Sequence, residues 1–191
     1  MGRLARIRSQ LGSAQVSRTF LKIHRYSDPW AISAFVIDVG KKWVLLARTA
    51  DGGFFDGYAA VRVSDIHKVG RDKSFEGLFA QTRPEWPPTR LPHTERVDLD
   101  RTRSLLRDFP QPGALMGIES TKRSSATWIG VADQIVDDWF YLHEVKPNAR
   151  WHRRPRGYRI RKIVMLYSDS HYLRGLAAIA GDPPAYDATP A

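Results

Sequence analysis

The chain has no cysteine. Disulfide staples, thiol catalysis and cysteine-ligated zinc are therefore excluded, and a reducing, cytoplasmic setting fits. It also lacks any run near the ~18 consecutive apolar residues of a membrane span. The basic opening MGRLARIRSQLG is not followed by a signal-peptide core, and Arg6 stands where a myristoylation signal needs Ser or Thr. No membrane partner is expected. G-x-S-x-G, G-x-x-x-x-G-K-[ST] and G-x-G-x-x-G are all missing, which removes the signatures of an α/β-hydrolase, a P-loop NTPase and a dinucleotide fold. His24, His67, His93, His143, His152 and His171 show no ligand spacing, so neither a zinc site nor a cofactor is expected.

What is abundant is positive charge. Thirty Lys and Arg face twenty Asp and Glu in 191 residues, a net +10. Such a balance biases a protein toward polyanions, whether nucleic acid, an acidic protein or anionic lipid. Twelve prolines and fourteen glycines are scattered between short apolar runs. That punctuation predicts a mainly β fold of short strands with short flanking helices.

Residues 1–27 carry Arg3, Arg6, Arg8, Arg18, Lys22 and Arg25 without one acid. They read as a solvated basic arm, a short helix marked by Leu4, Ile7 and Leu11 followed by an extended VSRTFLKIHRYS over Val16 to Ser27. The region 28–82 reads as a first small β-unit. AISAFVIDVG, KKWVLLARTA and FFDGYAAVRV alternate as strands, with hairpin connections at Gly40-Lys41 and Asp51-Gly52-Gly53 and a tight turn at Asp56-Gly57. A further strand starts at Ile66, and SFEGLFAQ forms a helix with Phe75, Leu78 and Phe79 on one side. The proline-dense 83–97 is a linker, pinned by Trp86. In the second unit, 98–180, a helix over about 99–107 leads to GALMGIEST, SATWIGVAD, DDWFYLHEV, GYRIRKIVMLY and a terminal helix. Residues 181–191 read as disordered. The halves echo one another in order: Ile66 to Phe75 and Ile163 to Tyr172 both span nine residues from strand start to helix aromatic, the mark of an internal duplication.

Each half resembles the SH3-like and Sm-like small barrels. The resemblance rests on Gly57-Tyr58, Val61, Val63, Asp65-Ile66 and Val69 in the first half, and on Gly157-Tyr158, Ile160, Ile163 and Leu166 in the second. It implies two tandem small barrels that bind RNA, DNA or peptide without catalysis. No Sm-type base-pocket asparagine or second Sm signature is present, so neither ring assembly nor a uridine pocket is carried over. Fold alone does not assign function.

The densest local signal is RWHRRPRGYRIRK, residues 150–162, where seven of thirteen residues are cationic and none is acidic. Phosphates need cationic donors, and unpaired bases stack on aromatic and guanidinium planes. Arg150, Trp151, Arg153, Arg154, Arg156, Tyr158, Arg159, Arg161 and Lys162 are therefore the candidate nucleic-acid-binding residues, in a hairpin of the second barrel. The leading expectation is a non-catalytic module that binds RNA or DNA. An adaptor for an acidic protein is the alternative. A third reading takes Glu144-Val145-Lys146, with Asp133, Asp137 and Asp138, as a D…ExK metal-dependent nuclease. Trp43, Trp128 and Trp139 read as core, and Trp30, Trp86 and Trp151 as flanking loops.

Overall fold

The computed structural model describes residues 2–87, 90–121 and 127–186. It opens with helix α1 (Arg3–Ser17), in which Ile7, Leu11 and Ala14 form one buried stripe against the sheet. The expected solvated arm is thus a docked helix. Its cations help to seat it: Arg3 Nη1 donates to the Ile66 carbonyl at 2.7 Å and Arg8 Nη1 to that of Lys41 at 3.3 Å. The remaining arm residues enter strand β1 (Leu21–Arg25).

The first half continues with β2 (Ile32–Val39), β3 (Trp43–Thr49), β4 (Phe55–Arg62), a one-turn 3-10 segment at Val63–Asp65, β5 (Ile66–Arg71) and α2 (Phe75–Ala80). The second half contains α3 (Thr102–Asp108), β6 (Leu115–Ser120), β7 (Thr127–Val136), β8 (Trp139–Glu144), β9 (Arg156–Arg159), another 3-10 turn at Ile160–Lys162, β10 (Ile163–Ser168) and α4 (His171–Ala180). The mainly β expectation holds. All ten strands run antiparallel in one sheet that is not closed, in the order β5-β1-β2-β3-β4-β10-β6-β7-β8-β9. Each half contributes its fifth strand beside its first, and β4 meets β10 at the seam, with Ala60 opposite Leu166.

The seam is apolar on both faces. Leu45 and Ala60 share the main core with Ile118, Phe140, Leu142, Ile163 and Leu166, so that core spans both halves. A second core lies beneath α1, where Val44, Leu46, Ala59 and Val61 meet Met165. Arg62 adds a polar clamp, donating through Nε to the Ile163 carbonyl at 2.9 Å while lying 4.7 Å over the Trp43 ring.

One local expectation is corrected and two are filled in. Asp56-Gly57 is not a turn, because β4 runs through it. Gly57 is needed there for its φ of 80° and because a Cβ would collide with the Ser168 carbonyl of β10. Helix α2 buries Gly77 and Ala80 and exposes Phe75 and Leu78. A Cβ at Gly77 would press on the Phe20 ring, so small residues form the inward face. The proline-dense segment is pinned by Trp86, whose ring packs 4.0 Å from Phe35, and Leu91 and Val97 carry it further into the main core. Among the described residues, no helix is long and apolar enough to cross a membrane. Residues 187–191 of the expected disordered tail lie outside the described residues.

Candidate nucleic-acid interface

Over Trp139 to Leu142, strand β8 sorts its side chains by alternation. Phe140 and Leu142 point into the main core, while Trp139 and Tyr141 are half-buried on the other face. Strand β9 is the outermost strand and pairs only with β8, placing Gly157 opposite Tyr141 and Arg159 opposite Trp139. With no side chain, Gly157 lies between the two rings: a Cβ there would come within 3.2 Å of Tyr141 and 3.3 Å of Trp139. The Arg159 guanidinium lies 4.0 Å from the Trp139 ring centroid, a cation–π stack. The outer face of the β8–β9 ribbon thus combines two aromatic rings with a guanidinium plane beside an unpaired strand edge.

Around this platform the predicted cations are open to solvent. Arg150, Arg153, Arg154, Arg156, Arg159 and Arg161 are exposed, and Lys162 is half-buried. None of these seven forms an ion pair among the described residues. Arg103 of α3 donates to the Asp137 carbonyl at 2.7 Å, which brings another cation to the tip of the β7–β8 hairpin. The loop before β9 is folded back on itself: Lys146 N–H donates to the Arg150 carbonyl at 2.9 Å and His152 N–H to that of Glu144 at 2.8 Å. Its arginines are therefore carried on a shaped turn.

The two predicted aromatics have other tasks. Trp151 is half-buried with its Nε1–H donated to the Ala180 carbonyl at 3.1 Å, tying the loop to the end of α4. Tyr158 faces inward, its ring 5.1 Å from Trp128 and its hydroxyl donating to Glu144. Burial, then that hydrogen bond and the Glu144 charge, push the Tyr158 hydroxyl well above its ordinary pKa. Trp139, expected in the core, and Tyr141 supply half-buried, outward-facing rings instead. WFYLHE is nearly all apolar or aromatic, so which residues faced outward was hidden until Phe140 and Leu142 were seen in the core. Trp43 is fully buried as expected, whereas Trp30 is exposed.

The acidic residues of the nuclease reading are not brought together. Glu144 is buried at one end of β8, next to Tyr158 and with His152 Nε2 at 3.8 Å. Asp137 and Asp138 lie beyond its other end, about 20 Å away at ~3.3 Å per residue. Asp133 accepts a hydrogen bond from the Tyr186 hydroxyl. Among the described residues, no three His, Cys, Asp or Glu side chains form a group able to hold a metal.

Comparison with known proteins finds no matching family model, no matching curated protein and no matching solved structure.

Proposed function

We propose that this protein is a non-catalytic module that binds single-stranded RNA or DNA along the outer face of the β8–β9 ribbon. The observation that carries the reading is the Trp139, Gly157, Tyr141 and Arg159 arrangement on an unpaired edge ringed by unpaired arginines. Rings open on one side accept bases of any sequence, and guanidinium groups take the phosphates. A duplex would leave the rings unused, since its bases are already stacked. The same strand order in the two halves, each with a 3-10 turn before its last strand, supports two small-barrel units derived by duplication. In this reading the first unit is scaffold and the second is the binding unit.

The test is fluorescence anisotropy with labelled single strands and a matched duplex. Changing Arg156, Arg159 and Arg161 together to alanine should weaken single-strand binding at least tenfold, because each exposed cation removed leaves one phosphate without its counter-charge. Unchanged affinity would overturn the assignment. If no nucleic acid binds even at low salt, the basic face belongs to an acidic protein partner, and an acidic peptide would then be the ligand to titrate.

A further inference from the structure

A second site lies at the seam between the halves, away from the β8–β9 face. It is a cavity of about 310 Å³, at the lower end of the ~300–1,000 Å³ range of small-molecule sites. Its floor holds two arginines in very different states. Arg25 is 4% exposed and held by two acids: its Nη1 donates to Glu119 Oε2 at 2.7 Å and its Nη2 to Asp28 Oδ2 at 3.1 Å. Arg25 Nε has no hydrogen-bond partner. This triad joins β1 to β6 and has an evident structural task.

Arg48 has no such task. Its single charged partner among the described residues is Asp56, at 3.7 Å, and it makes no hydrogen bond among them. Asp56 is already committed through Oδ1 to the His171 N–H at 2.9 Å and to His171 Nδ1 at 3.1 Å. The Arg48 guanidinium lies 5.5 Å over the Tyr167 ring, whose hydroxyl feels both Arg48 and Glu119. A cation with unused donors and a carboxylate thus flank one tyrosine. At the cavity lining, Trp30 is 79% and Tyr172 56% exposed.

We infer that this cavity binds a small zwitterion of the free amino-acid class. Its carboxylate would sit on Arg48, its ammonium group against Glu119 and Asp28, and its side chain against Trp30 and Tyr172. The charge balance selects this class. Arg25 and Arg48 oppose Asp28, Asp56 and Glu119 in the lining, and that excess of carboxylate disfavours a polyanion such as a nucleotide. A purely cationic ligand would leave the Arg48 donors unused. A molecule with both charges would engage the half-buried Arg48 guanidinium and also the carboxylates whose other oxygens Arg25 holds.

Thermal unfolding and calorimetric titration of the full chain with the twenty common free L-amino acids at about 10 mM test this, with the N-acetylated and amidated forms as controls. At least one free amino acid should raise the unfolding midpoint by about 5 °C when present at ~100 times its Kd. Its N-acetyl and amide forms should not, since each lacks one of the two charges. Arg48→Gln should weaken the affinity at least tenfold, and Trp30→Ala, at an exposed position, should also weaken it without changing the ligand-free midpoint. No response to any free amino acid, or equal response to the blocked forms, overturns the inference. Loss of nucleic-acid binding has no bearing on it, because the two sites share no residue.

Discussion

Two tyrosines show how one residue's surroundings set the pH range of the fold. Tyr167 in β10 is pushed up to about 12 from 10.0, with burial the largest cause and the nearby Arg48 opposing it. Tyr158 is shifted in the same direction by burial and by Glu144. In the unfolded chain both hydroxyls lose their protons near pH 10, whereas the folded protein keeps them. The stabilisation is complete below pH 10 and is lost as pH rises from about 10 through 12. Urea unfolding at pH 9 and pH 11 should show this decline. Tyr167→Phe should reduce it by up to ~1.4 kcal/mol, the equivalent of the one pH unit of the window that lies above the unfolded pKa; an unchanged pH dependence would remove Tyr167 from the explanation. A wild-type fold equally stable at both values would contradict the sign for both residues.

At the scale of elements, the β4–β10 seam is the joint on which everything else hangs. Gly57→Ala places a side chain at a φ of 80° and against the Ser168 carbonyl, and should cost about 2 kcal/mol or more in urea unfolding. Gly12→Ala in α1, with open space around the added Cβ, should instead stabilise by ~0.5–1 kcal/mol. Similar losses at both positions would mean that β4 and β10 do not meet as described. The contrast also shows what was legible beforehand. The strands β2, β3, β4, β6 to β8 and β10 were readable because their apolar runs are bounded by turn residues, and the start of β5 at Ile66 was readable too. β1 was read as extended but not as part of the sheet, because Lys22 and His24 alternate with Leu21 and Ile23 inside a basic stretch that looked like an arm. Gly57 was misread because a glycine demanded by a neighbouring strand looks the same in sequence as one demanded by a turn. The outward orientation of the α2 stripe was not legible, because apolar spacing names a stripe, not the surface that covers it. Here Phe20 leaves room only for Gly77.

The whole molecule is one antiparallel sheet with a shared core and a net charge of +10. Its two outer strands both carry cations, Lys68 and Arg71 on β5 and Arg156 and Arg159 on β9. Like charges on both edges oppose edge-to-edge pairing of copies, yet on β9 they also form the surface a phosphate chain would track. The basic run was legible from the sequence because seven cations without an acid need no fold to be noticed. The aromatic platform and the seam cavity were not, since each gathers residues from separate strands that only the sheet order brings together. The most direct measurement is the affinity for a labelled single strand across a salt series. Log K should fall linearly with log salt at a slope of about −3 to −4, and the Arg156, Arg159 and Arg161 alanine variant should flatten it by about 2, near 0.7 for each phosphate no longer neutralised. A slope near zero, or one that the variant leaves unchanged, would contradict the central claim that this face binds a nucleic-acid backbone.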